Sequence, residues 1–196
     1  MTQSMIEIVF PKLSRDNYKI TSNGTTDYNC IAWAADETEV GACWWPNGSD
    51  PAQLMDSVSG DTIVKRIVYW PRGVPKKEED INSFFAAFAT RGWKKCKNGR
   101  LKRGYEKIAI YVDKLGEPQH AARQLPDGTW TSKIGDWEDI SHDTLESLEG
   151  VSYGEVFRKC FMKRKIKSKV SVKKENNIMQ IISNWFRLLV SRLLSG

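Results

Sequence analysis

The sequence predicts an α+β domain followed by a basic tail, and three observations carry that class. Ile81, Phe84, Phe85 and Phe88 recur at i, i+3, i+4 and i+7, one face of a helix. Residues 105–112, YEKIAIYV, form a β-rich run that suits a buried strand. HAARQL and TWTSKI flank a Pro-Asp-Gly turn and read as a hairpin.

The remaining elements follow along the chain. Residues 11–29 are rich in Ser, Thr, Asn, Asp and Gly and predict an irregular lead-in. CIAWAAD, residues 30–36, is compact and apolar with helix-forming alanines, so a helix is expected to begin at or near Cys30. Residues 41–76 hold Trp44, Trp45, Trp70 and four prolines, and predict a long, partly irregular insertion. Glu78, Glu79 and Asp80 suit the first turn of the phenylalanine-rich helix, and Gly92 suits its end. Asp143 and Glu146 have capping-box spacing for a short helix ending before Gly150. VSYGEVFRKCF then predicts a last strand.

Composition excludes several classes. The chain has 196 residues, 40% hydrophobic and 28% charged, which suits a folded domain rather than a disordered or fibrous chain. No apolar run approaches a bilayer span. The first residues, MTQSMIEIVF, lack the basic start and long apolar stretch of a secretory signal. Cys30, Cys43, Cys96 and Cys160 have no CxxC or CxxH spacing, so reduced thiols in a cytoplasm are expected rather than a zinc site or disulfide framework. No Gly-rich phosphate loop is present, and no metal or cofactor is expected.

Charge divides the chain. Residues 158–196 contain eleven Lys or Arg and one acid, Glu175, a net +10. The other 157 residues carry a net −4. The tail therefore dominates the total of +6, and no nucleic acid is expected on the core. The lysine-rich stretch suits either a solvated linker or attraction to an anionic surface. The final NIMQIISNWFRLLVSRLL places Ile178, Ile182, Trp185, Phe186, Leu189 and Leu193 opposite a narrow polar stripe. It reads as an amphipathic helix that docks on protein or lies in a membrane interface. The expected organisation is a domain over 1–160, a basic linker over 161–176 and this helix over 177–196.

The two histidines, His120 and His142, bound any imidazole chemistry. Cys30 at a helix start would meet free backbone N–H groups that favour a thiolate. His120 heads a strand. His142 precedes the capping box and suits a solvated or capping role in a loop. The tryptophans could line a glycan or peptide groove, or simply pack the core.

The string TTDYNCIAWA resembles the nucleophile helix of the NlpC-like branch of papain-like cysteine peptidases. Those enzymes place an aromatic and a short polar residue before the Cys, here Tyr28 and Asn29. A central strand, a strand opening with the catalytic His and a hairpin follow, in the order of YEKIAIYV, HAARQLPDG and TWTSKIG. A group of uncharacterised bacterial domains with YNCIAWA, WWP, YWP, HAARQL and WTSK is more similar still, over roughly Tyr28 to Phe157. The resemblance implies a papain-like fold, with an N-terminal nucleophile helix packed on an antiparallel sheet. It also implies a third polar residue orienting the His, and the family spacing lands on Ser132.

Hairpin geometry bears on that residue independently. A three-residue Pro-Asp-Gly loop pairs Leu125 with Thr129 and sets Ser132 diagonally beside His120. A two-residue Asp-Gly turn would put Thr131 and Lys133 there instead. Relatives more often use His, Asn, Asp or Gln at this position, and a hydroxyl orients imidazole more weakly.

The expected function is thus a thiol hydrolase or acyltransferase on an amide or ester bond of a peptide or acyl substrate. Cys30 attacks, His120 moves the proton and Ser132 orients His120. The Cys30 N–H is the expected oxyanion donor. Tyr28, Asn29, Trp44 and Trp45 are the expected oxyanion and substrate-binding residues. The alternative is an inactive papain-like module that binds a partner, or a membrane-associated toxin or defence effector anchored by its tail.

Overall fold

The computed structural model describes residues 3–38, 43–59 and 62–166. The expected amphipathic helix and all but the first six residues of the expected linker lie outside them. In chain order the elements are helix α1 (Gln3–Val9), β1 (Tyr18–Ile20), α2 (Cys30–Ala35), β2 (Cys43–Ser49), β3 (Gln53–Ser59), β4 (Thr62–Tyr69) and α3 (Ile81–Ala89). Then come β5 (Lys94–Cys96), β6 (Tyr105–Val112), β7 (Pro118–Gln124), β8 (Trp130–Lys133), β9 (Asp139–His142), a 3-10 turn (Leu145–Leu148), β10 (Glu155–Val156) and β11 (Phe161–Lys165).

Eight strands form one sheet in the order β1-β9-β8-β7-β6-β11-β5, with β10 also on β6. In this sheet the pairs β1–β9, β9–β8, β8–β7, β7–β6, β6–β10 and β11–β5 are antiparallel. Its central strand β6 buries Ile108, Ala109, Ile110 and Tyr111 consecutively, because both faces are covered. Ile108 and Ile110 pack with α2, α3, Trp44, Trp70 and Trp93. Ala109 and Tyr111 pack on the other side with Ile6 and Phe10 from the N-terminal segment and Leu145 and Leu148 from the 3-10 turn.

The fold class differs from the expected one. The described residues are mostly β, with eleven strands against three helices of seven, six and nine residues. The papain-like α+β architecture, with an N-terminal nucleophile helix as a layer on the sheet, is not formed. The N-terminal helix is α1, which lacks Cys30, and α2 is under two turns long. Two local causes account for this. Asp36 leaves α2 in the left-handed region, φ 72°, and stops it. The stretch read as an irregular insertion instead folds as a second sheet, β2-β4-β3. Its prolines do not prevent this, because Pro46 sits on the edge strand β2 and Pro71 follows β4.

Other expectations are met in part: VSYGEVFRKCF holds only the two-residue β10 and the first residue of β11, and Glu78, Glu79 and Asp80 lie before α3 rather than in its first turn. α3 buries Phe84, Phe85 and Phe88, and the Asp80 carboxylate accepts from the Asn82 N–H at 2.9 Å. The Asp143–Glu146 capping box is absent. Thr144 precedes the 3-10 turn, and Glu146 pairs with Arg158 at 2.8 Å. β11 draws Phe161 and Met162 into the core, so the compact body runs to Arg164. No helix among the described residues is long and apolar enough to cross a membrane.

The stop at Asp36 also supplies a test. Its carboxylate meets Arg123 Nη1 at 2.5 Å and Arg164 Nη2 at 2.7 Å, and the Arg123 guanidinium lies 5.0 Å over the Trp33 ring. Arg123 is buried while Asp36 is half exposed. Asp36→Asn keeps the left-handed turn tolerable but leaves the buried Arg123 guanidinium without its counter-charge. Screening at the exposed end limits the cost to about 1–2 kcal/mol, read as a lower urea midpoint with unchanged slope. An unchanged midpoint would show the pair to be inert.

Candidate active site

Three neighbouring strands build a buried polar chain. β7 faces β8 with Arg123 opposite Thr131 and Gln124 opposite Trp130. This is the register of the three-residue loop. The Leu125 N–H donates to Thr129 O at 2.8 Å, and Gly128 takes the left-handed conformation, φ 99°, that the turn demands. β8 faces β9 with Ser132 opposite Ile140 and Trp130 opposite His142. His120, Ser132 and His142 therefore sit on successive diagonals of one face.

Their side chains are joined. Ser132 Oγ lies 3.0 Å from His120 Nε2 and 3.0 Å from His142 Nε2. His142 Nδ1 lies 2.8 Å from the Thr144 carbonyl oxygen. All three side chains are buried. His142 was expected in a loop; it stands on β9 inside this cluster, with its pKa pushed down to about 4 chiefly by burial. Burial, then the neighbouring His142, holds His120 well below the ordinary imidazole value.

These contacts set proton positions. A carbonyl only accepts, so His142 Nδ1 donates to Thr144 O. A neutral His142 then offers Nε2 as an acceptor, and the Ser132 hydroxyl donates to it. Ser132 Oγ in turn accepts from His120 Nε2–H. His120 Nδ1 is left as a lone pair, buried and without a hydrogen-bond partner. Tyr153 covers this imidazole, with ring centroids 4.0 Å apart and planes 6° from parallel. Tyr153 rides on a short loop closed by two hydrogen bonds between Gly150 and Gly154.

Cys30 comes from the other face of the sheet. α2 packs with Ala121, and the Trp33 Nε1–H donates to Thr131 Oγ1 at 3.2 Å. β7 and β8 are in register only at the two pairs named above. Where they part, the Ala121 N–H faces the thiol instead of a neighbouring strand. No hydrogen bond among the described residues joins the thiol to His120. The expected thiolate is not favoured either. Burial pushes the thiol up to about 11, outweighing the N–H groups of Ala121, Cys30 and Ile31 that pull it down.

The other expected residues are largely structural. Asn29 caps α2, its Oδ1 accepting from Ala32 N at 3.0 Å and Trp44 N at 3.1 Å. Its Nδ2 donates to Trp44 O at 2.8 Å. Trp44 is fully buried, stacked near Phe88, so it packs the core rather than lining a groove. Tyr28 donates to Asp139 Oδ2 at 2.6 Å, and its hydroxyl is pushed up to about 12, mainly by burial. Trp45 is half-buried and lines a cavity of about 430 Å³ with Asn29, Cys43 and Arg66. Tyr153, with Ile134, Gly135 and Trp137, lines another of about 320 Å³. Lys133 is buried, its ammonium bonded to Trp137 O and 5.5 Å over the Tyr28 ring. The four cysteines are free, and no metal-holding cluster of His, Cys, Asp or Glu occurs among the described residues.

The chain belongs to a family described as a domain of unknown function, DUF7689, whose sequence model matches residues 19–161. Cys30, His120, Ser132, His142 and Tyr153 all lie within that span. No curated protein and no solved structure matches the chain.

Proposed function

We propose that the protein is a thiol-dependent hydrolase or acyltransferase acting on an amide or ester carbonyl, with Cys30 as nucleophile and His120 as base. The observation that carries this reading is the direction of the buried chain, which leaves His120 Nδ1 an unpaired lone pair. Its chain neighbour Ala121 already touches the thiol.

The Cys30 side chain turns toward Nδ1 as substrate arrives. Sγ attacks the carbonyl carbon while its proton passes to Nδ1. The Cys30 and Ile31 N–H groups, which face the sulfur at rest, donate to the developing oxyanion. Collapse expels the leaving group with the proton from Nδ1 and leaves a thioester on Cys30. Water or an acceptor nucleophile then loses its proton to Nδ1 and attacks the thioester, and sulfur departs carrying that proton. Throughout, Nε2–H stays on Ser132, and the Tyr153 ring stabilises the transient imidazolium by a cation–π contact.

The test uses the other thiols as internal controls. The full chain is treated with p-nitrophenyl acetate at pH 7.5 and acetylation is mapped by mass spectrometry. Cys30 is expected to acylate at least tenfold faster than half-buried Cys96 and Cys160, with acyl turnover. Equal rates at all three would sink the reading. A second reading, a module that binds a partner without catalysis, is favoured by the raised thiol and the absent Cys30–His120 hydrogen bond. It predicts that equal or slower rate at Cys30.

A further inference from the structure

We propose that the sheet end formed by β5, β11 and the loop 97–104 docks on a membrane surface rich in anionic lipid headgroups. Strand register sets Lys163 directly opposite Lys94. Like charges facing across a strand pair destabilise it. The Lys102 ammonium lies 4.6 Å over the Tyr105 ring, and the Lys163 ammonium 5.8 Å over the same ring. Lys107 lies two residues along β6 on that face, buried, donating to Asn98 O at 2.6 Å. Burial lowers its pKa first, and the charges of Lys163 and Lys102 add to the effect.

Few carboxylates lie along this stretch of sequence. Residues 94–107 contain seven Lys or Arg and one acid, Glu106. The Glu106 carboxylate is taken by Arg164 at 3.0 Å. Among the described residues, none of Lys94, Lys102, Lys107 and Lys163 forms an ion pair with a carboxylate. Charge gathered against a local stability rule is where an external ligand is expected.

Two features favour lipid over nucleic acid. The Tyr105 ring is already covered by Lys102, which leaves no open platform for a base to stack on. Leu101 is 52% exposed between Arg100 and Lys102, an apolar tip flanked by cations that suits a headgroup boundary. The chain then runs from Lys163 into a stretch with five more lysines over 165–174.

The experiment is flotation of the full chain with phosphatidylcholine vesicles, with and without about 30% phosphatidylserine. Binding is expected only with phosphatidylserine and should fade as salt rises toward 0.5 M. Each lysine neutralised should weaken it about fivefold, so Lys94→Gln with Lys163→Gln should lose about 25-fold. Lys94→Gln alone should hold or raise the melting temperature, because it relieves the facing charges, while still weakening binding. A merely structural lysine would lower the melting temperature and leave binding unmoved. The proposal is overturned if the double variant floats like the parent, which would place any affinity in the tail. It is equally overturned if the parent ignores the vesicles but binds polyuridylate.

Discussion

Glutamine in place of His120 is expected to cut acyl uptake at Cys30 by about 10²–10⁴-fold, the range of a positioned general base. Cys96 and Cys160 should react unchanged. The effect should be graded along the chain. Ser132→Ala removes the hydrogen-bonding partner of both His120 Nε2 and His142 Nε2. His120 then has no reason to keep its proton on Nε2, and acylation should fall by about 10–100-fold. Two buried nitrogens left unpaired should also cost about 1–3 kcal/mol each in stability. His142→Gln should slow acylation less, because Ser132 remains to accept from His120. If Ser132→Ala lowers stability but leaves the acylation rate untouched, the hydroxyl has no orienting role.

Acid should begin to destabilise the body before its carboxylates protonate. His142 has a folded pKa of about 4, below the ordinary 6.5, so the unfolded chain binds more protons between those values. Stability therefore rises with pH across that window and is lost as pH falls from 6.5 towards 4. The shift corresponds to a loss on the order of 3 kcal/mol from His142 alone. His120 shifts in the same direction and adds to it. Cys30 acts in the opposite range, its pKa being raised to about 11. It should reduce stability as pH climbs from the ordinary thiol value towards 11. Urea midpoints at pH 7, 5.5 and 4.5 measure the acid limb. A flat profile over that span would contradict the buried neutral imidazoles.

Local patterns were the legible part of this molecule. α3 followed from four apolar positions, and the hairpin register from a Pro-Asp-Gly loop. That register brought Ser132 to His120 with no tertiary information. The fold class was not legible, because a resemblance carried by short motifs between Tyr28 and Phe157 says little about the length of α2 or the use of residues 43–69. The second sheet was hidden by prolines whose edge positions appear only once the strand order is known. His142 was missed because its burial depends on β9 lying beside β8. Its signal was the alternating EDISH, which reads as a strand as readily as a loop. The thiol shift was missed for a similar reason. Free N–H groups at a helix start can be read locally, whereas the burial that outweighs them belongs to the assembled sheet.

The place of β11 bears on how the protein can be made. This strand is near the end of the body in sequence, yet it lies between β6 and β5 in the sheet. During synthesis β5 has no strand partner until residues 161–165 leave the ribosome, some sixty-five residues after its own emergence. β6 through β9 can pair with near neighbours as they appear, so the histidine chain can assemble on a sheet that is still open at one side. The nascent chain then displays an unpaired β6 edge beside Trp93 and Phe85, a surface suited to chaperone capture or to pairing with another ribosome's product. Stop codons or proteolytic nicks just before residue 161 should therefore yield aggregates rather than a smaller soluble domain.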